Sequence, residues 1–282
     1  MKKLLTLFTL IPFFTFAQKG INISVEGTYG KTALLNKDDT KAGDMLDYVP
    51  TAGYSAGGAI GYRIKLGNGY IGLSLGAQYC KIAQKYKGIY LTPLTDSTNI
   101  TKSYTVSSTM IYIRIPLELN YTLFTNKRIR PSISIGGYWG GNTKYDDEFE
   151  QTDDYAHISK IAKSKGLDYK LTVYDPRDNS TEIIEYKYSN LIYNKVEYGF
   201  ITKLGVECTL NEYTTIAIKG IYTQGITDVE NKKDIQNDGK NFWEYKNNKI
   251  GWNIKTRRAK TYSNMIGACV SLTVYLHNSN KQ

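Results

Sequence analysis

Residues 110–124, MIYIRIPLELNYTLF, set Ile111, Ile113, Ile115, Leu117, Leu119, Tyr121 and Leu123 at every second position. Tyr112, Arg114, Pro116, Glu118 and Asn120 fill the places between them. A period of two sends successive side chains to opposite faces of a sheet, so the segment is a strand with one apolar face and one charged face. Two architectures satisfy that pattern. In a soluble sandwich the apolar face is the core and the charges meet water. In a membrane barrel the apolar face meets lipid and the charges fill the lumen.

Seven further segments carry the same period and decide between the two. They are INISVEGTYG (21–30), GYSAGGAIGYRIKL (53–66), YIGLSLGAQYCKIA (70–83), IRPSISIGGYWGG (129–141), KVEYGFITKLGVECTL (195–210), TTIAIKGIYTQGI (214–226) and YSNMIGACVSLTVYL (262–276). Each holds the roughly 9–11 residues with which a tilted strand crosses hydrocarbon. GNG joins strands two and three, TNKR four and five, NEY six and seven, while every other connection is long and polar. Strict alternation of short turns and long loops belongs to outer-membrane barrels, and a soluble sandwich has no need of it. The prediction is an eight-stranded antiparallel transmembrane β-barrel, an up-and-down meander with short periplasmic turns and long extracellular loops. The 25 tyrosines and 25 glycines fit, because tyrosine favours strands and membrane interfaces and glycine suits crowded strands.

The chain opens MKKLLTLFTLIPFFTFAQKG, with Lys2 and Lys3 before an apolar run from Leu4 to Phe16 and a small Ala17 before Gln18. That is the layout of a secretory signal peptide, so residues 1–17 are expected to be cleaved and 18–282 to form one barrel domain. The run is too short for a spanning helix and contains Pro12. The formal charge is +10, and +8 without Lys2 and Lys3. With no compact basic run or nucleic-acid motif, an acidic membrane surface suits that excess better than nucleic acid does. Cys80, Cys208 and Cys269 are odd in number and widely spaced, which argues against a disulfide framework or a metal knuckle.

IYIRIPLELNY, with its isoleucine–proline–leucine centre, resembles a strand of the small outer-membrane β-barrel family of Bacteroidota (the PorT-like barrels). IRPSISIGGYWG, EYGFITKLGVEC and IAIKGIYTQGITDV resemble the strands that follow, in the same order. The resemblance covers nearly the whole mature chain and implies an outer-membrane address. Because the family includes a barrel subunit of type IX secretion, it also implies an accessory role in a secretion or surface complex. The ending VYLHNSNKQ departs from the terminal aromatic common in such barrels.

Parity assigns the lumen. The inward charges are Glu26, Arg63, Lys65, Arg114, Glu118, Glu197, Lys203, Glu207 and Lys219. Buried charges persist when paired and hydrogen-bonded, and eight strands leave only enough interior for side chains, so a plugged, salt-bridged cylinder is expected. A narrow ion path or small transporter is the alternative use of the same residues. Pro116 points inward and marks a bulge or local irregularity. Parity also sets Tyr29, Tyr54, Tyr79, Trp139, Tyr198, Tyr222 and Tyr262 facing lipid near the long-loop rim, above Ile71, Leu73, Leu75, Ile113, Ile115 and Val270.

The long loops are the other place for function. Residues 143–193 have an acidic entry, YDDEFEQTDDY (145–155), and continue as two alternating runs around DPRDN, a hairpin pattern extending the wall outward. Asp146, Asp147, Glu148, Asp153 and Asp154 lack the fixed spacing of a calcium loop and read as a solvated acidic stretch. In the loop 229–261, Asn237-Asp238-Gly239 suits a tight turn before Phe242 and Trp243, and DST at 96–98 resembles a short O-glycosylation sequon. His157 beside Asp153 and Asp154, and His277 in the tail, are the only histidines, and no nucleophile elbow or HExxH appears. The expectation is therefore a non-enzymatic protein with no catalytic or metal residues and no cofactor, an outer-membrane hydrolase being the less favoured reading. Its expected partners are outer-membrane lipid and lipopolysaccharide, and a protein at the long loops or the periplasmic rim.

Overall fold

A computed structural model of the chain describes residues 19–36, 46–94, 98–153, 160–165, 168–175, 180–187, 194–229, 244–245, 248–249 and 260–276. The expected signal peptide 1–17, Asp154, His157, Asn237-Asp238-Gly239, Phe242, Trp243, His277 and most of the sequon-like 96–98 stretch lie outside the described residues. The strands are β1 (Gly20–Asn36), β2 (Leu46–Leu66), β3 (Gly69–Leu94), β4 (Thr98–Leu123), β5 (Ile129–Asp153), β6 (Lys160–Lys165), β7 (Asp168–Asp175), β8 (Ser180–Lys187), β9 (Val196–Asn211), β10 (Thr214–Gly225), β11 (Glu244–Tyr245), β12 (Asn248–Lys249) and β13 (Thr261–Tyr275).

β1, β2, β3, β4, β5, β9, β10 and β13 pair antiparallel in that order, and β13 returns to β1, so the sheet closes into an eight-stranded barrel. All eight segments of period two are barrel strands. β5 also carries the outward extension: it pairs with β6 through Glu148↔Lys163, β6 pairs with β7, and β7 pairs with β8 as the hairpin flanking DPRDN. The β3–β4 ladder runs on to Leu94↔Thr98, so much of the stretch read as a polar loop is strand whose backbone groups satisfy one another across the pair.

Closure fixes the tilt. A walk across the ladders from Asn22 passes Gly61, Ser74, Glu118, Gly136, Ile201, Thr223 and Met265 and returns to β1 at Thr32, ten residues farther along. With rises and strand spacings typical of sheets, that stagger tilts the strands by about 40°.

The outer surface is apolar. Leu73, Leu75, Ile113, Ile115, Leu117, Leu119, Leu204 and Val270 all point outward and are exposed. Toward the long-loop rim this belt meets aromatics. Tyr29 pairs with Tyr54, Tyr54 stacks on Tyr79 with centroids 6.2 Å apart, and Trp139 pairs with Tyr198. Tyr222 packs against Phe200 at 5.9 Å. Tyr262 departs from the girdle expected of it. It pairs with Leu35, six positions beyond the Ala268 that pairs with Tyr29, so it stands above the ring of aromatics. Parity gives a face but not a height, and height comes from the register.

Pro116 interrupts the β3–β4 ladder between Leu75↔Leu117 and Gln78↔Arg114 without shifting register, so it is a local break and not a bulge. Gly76 makes room for it, since a Cβ there would lie 3.2 Å from Pro116 Cγ. True register shifts fall at Pro50/Tyr54 in the β2–β3 ladder, at Ile111/Tyr112 between β4 and β5, and at Thr214/Thr215 between β9 and β10. Where β2 is interrupted, Thr32 Oγ1 accepts from Ala83 N (2.9 Å) and donates to Ala83 O (2.7 Å), while Gln84 Oε1 accepts from Leu34 N (3.0 Å). These side chains supply the hydrogen bonds that the missing ladder leaves open.

Candidate functional site: a layered lumen

Inward parity brings charges from β1, β2, β4, β5, β9 and β10 onto one axis, and the stagger sorts them into three layers. Nearest the short-turn rim, Arg63 grips Glu207 with two parallel bonds, Nη1–Oε1 at 2.8 Å and Nη2–Oε2 at 2.9 Å. That is the bidentate fork geometry in which arginine–carboxylate pairs are strongest. Arg130 Nη2 adds a bond to Oε1 at 3.0 Å, and Thr122 Oγ1 donates to Oε2 at 3.1 Å. The Arg63 guanidinium lies 5.6 Å from the Tyr70 ring and 5.3 Å from that of Tyr275, within cation–π range.

In the middle layer Lys203 Nζ spends all three protons on carboxylates. It reaches Glu26 Oε1 and Oε2 at 2.9 and 2.8 Å and Glu118 Oε1 at 2.8 Å. Gln78 Nε2 also donates to Glu26 Oε1. Beside them Lys219 Nζ donates to Ser134 Oγ at 3.0 Å, and Ser134 Oγ donates to Asn120 Oδ1 at 2.6 Å.

The upper layer is Arg114 with Glu197, joined Nη2–Oε2 at 2.9 Å, and Ser263 Oγ donates to Glu197 Oε1. The Arg114 guanidinium sits 4.1 Å over the Tyr138 ring. Gly199 permits this stacking, because a Cβ there would come within 2.3 Å of Tyr138 Cζ. Above the layer, Leu34, Cys80, Ile82, Met110, Tyr112 and Val229 form a buried apolar plug. Val229 is held in place by donating to Thr261 O and accepting from Asn194 N, both at 2.9 Å.

Glu26, Arg63, Arg114, Glu118, Glu197, Lys203, Glu207 and Lys219 thus all meet in the lumen. Lys65 shares their parity but sits at the end of β2 and is exposed at the rim. Arg114 and Glu118 are not partners: about 13 Å of β4 separates them, and each pairs within its own layer. Arg130 was missed by the sequence reading. Its even parity in IRPSISIGGYW would have found it, although it stands one residue inside the strand, next to a turn. The inward tyrosines were missed as well, because tyrosine suits either face of the wall. Asp146, Asp147, Glu148 and Asp153 lie on β5 above the barrel, and no metal-type cluster occurs among the described residues.

The sequence matches the model of a family described as "Outer membrane protein beta-barrel domain" over residues 16–231. The chain belongs to that family. Its place is therefore the outer membrane, with the apolar belt against lipid. No curated protein matches the chain in sequence. Among solved structures it is similar to Neisserial surface protein A, at 12% identity and TM-score 0.36, over 91% of this chain and 97% of that one. It is also similar to OprG from Pseudomonas aeruginosa, at 11% identity and TM-score 0.34, over 93% and 100% of the two chains. The attachment invasion locus protein Ail of Yersinia pestis matches at 10% identity and TM-score 0.25, over 90% and 99%.

Proposed function

We propose that this outer-membrane barrel is a non-enzymatic structural or interaction component. Its lumen is closed by ion pairs, and its long-loop side receives a protein partner. The observation that carries the reading is the stack of three ion-pair layers beneath an apolar plug. A wall whose interior is filled with mutually neutralised side chains gives a rigid platform and little room for solute. β5 with β6, β7 and β8 continues the sheet beyond the barrel and offers the partner a surface. In this reading residues 1–17 direct export, lipid and lipopolysaccharide solvate the belt, and the long loops face outward. Membership of the Bacteroidota branch, with an accessory place in a secretion or surface complex, is the finer form of the proposal.

A narrow channel is the second reading, favoured by a polar cavity of ≈ 70 Å³ between the lower two layers. Planar bilayers separate the two. The closed platform gives no sustained single-channel steps, and cross-linking in intact outer membranes followed by purification captures a defined protein. Sustained ion-selective steps from pure protein would overturn the platform in favour of the channel.

A further inference from the structure

The cavity lies between the Lys203 and Arg63 layers, walled partly by small residues that include Ser24, Ala59, Gly72, Ser74 and Ser271. Its volume of ≈ 70 Å³ compares with the roughly 10–15 Å³ that one water needs on the same measure, so it has space for one small ion and a few waters. The described lumen holds five cations, Arg63, Arg114, Arg130, Lys203 and Lys219. Against them stand four carboxylates, Glu26, Glu118, Glu197 and Glu207. A net positive charge inside a lipid-surrounded cylinder is costly without a counter-ion.

By charge the excess falls in the lower layer, where Arg63 and Arg130 share Glu207, and by donors it falls on Lys219 at the other side of the chamber. Lys203 has its three protons on Glu26 and Glu118, and Arg63 has its fork on Glu207. Lys219 lines the cavity, donates one proton to Ser134, and has no carboxylate within ion-pair distance among the described residues. An ammonium carries three donors, so two are left beside the cavity. The lining carboxylates each have a cation: Glu207 accepts from Arg63, Arg130 and Thr122, Glu26 from Lys203 and Gln78, and Glu118 through Oε1 from Lys203. The positive charge balance and the two remaining Lys219 donors call for an anion, not for a metal cation.

We propose that this chamber holds one small monovalent anion of chloride's size, bound by Lys219 and by the hydroxyl of Ser271. A single negative charge balances the lumen, whereas a divalent oxyanion would overcompensate it and crowd the space. The site goes beyond the platform reading and stands independently of any surface partner.

Bromide is the probe. In crystals of the full chain grown in bromide, an anomalous peak is expected in the chamber within hydrogen-bonding distance of Lys219 Nζ. In detergent solution the unfolding midpoint is expected to be higher in sodium chloride than in sodium gluconate at equal ionic strength, with saturating concentration dependence, as for any ligand of the native state. Lys219→Met, which leaves four charges of each sign, should lose the peak and the anion dependence. If that variant fails to fold, Lys219→Gln serves in its place, and the wild-type bromide map stands by itself. A chamber without a peak, or a wild type equally stable in chloride and gluconate, would overturn the proposal. So would a peak that survives removal of the Lys219 ammonium.

Discussion

Arg114 Nη2 donates to Glu197 Oε2 at 2.9 Å across the lumen, from β4 to β9, with both side chains buried. The two strands are not neighbours in the ring, since β5 lies between them. The bond therefore reaches over β5, and it is available because the β4–β5 and β5–β9 registers pair both position 114 and position 197 with Gly140. Tyr138, on the intervening strand, supplies the ring beneath the guanidinium.

Deleting one member of this pair should cost more than deleting both. Glu197→Met leaves Arg114 charged in a dry interior, with an expected loss on the order of 3–5 kcal/mol. Arg114→Met combined with Glu197→Met removes the charges together and should recover most of that loss. Unfolding titrations in lipid vesicles give the cycle. Arg114 should couple strongly to Glu197 and by less than about 0.5 kcal/mol to Glu118, which sits in another layer.

Lys203 answers two carboxylates, so its loss should be the most damaging single change in the middle layer. Lys203→Met is expected to destabilise the barrel by several kcal/mol, because it strands Glu26 and Glu118 together. Adding Glu26→Gln and Glu118→Gln should restore much of the stability. Equal destabilisation by Lys203→Met and Lys219→Met would show that the two lysines have equivalent surroundings, contrary to their bonding.

Period two was enough to place all eight spanning strands, because lipid outside and packed charge inside impose opposite chemistries on alternate positions. It also assigned the inward charges strand by strand. Which charge meets which was not legible. Partnership depends on the stagger accumulated around the ring, and no single strand encodes it. The same gap explains Tyr262, correct in face and wrong in height. It also explains Arg114 and Glu118, neighbours by parity but set in different layers. The plug was not legible for another reason: where β1 and β3 leave the barrel, Ala33 with Leu34 and Ile82 with Ala83 are buried on both faces, which breaks the alternation.

Trp139 should report the depth of the girdle. It faces outward beside Tyr198 at the level where the apolar belt ends. An amphipathic ring prefers the headgroup region, where its apolar body and polar edge each find their own solvent. With Trp243→Phe and Trp252→Phe in place, bromines near the headgroup end of the acyl chains should quench its fluorescence more than bromines near the chain end. Stronger quenching by the deep bromines would move the girdle into the hydrocarbon.

Nitroxide accessibility along β4 tests the barrel most directly. In a background of Cys80→Ala, Cys208→Ala and Cys269→Ala, single nitroxides are placed from position 111 to position 121 and the protein is reconstituted in lipid. Odd positions, with Ile113 to Leu119 exposed on the outer face, should collide readily with dissolved oxygen and scarcely with a water-soluble nickel reagent. Even positions, including Arg114 and Glu118, should be screened from both by the filled lumen. Strong nickel collisions at the odd positions would put the apolar face in water and contradict the membrane barrel.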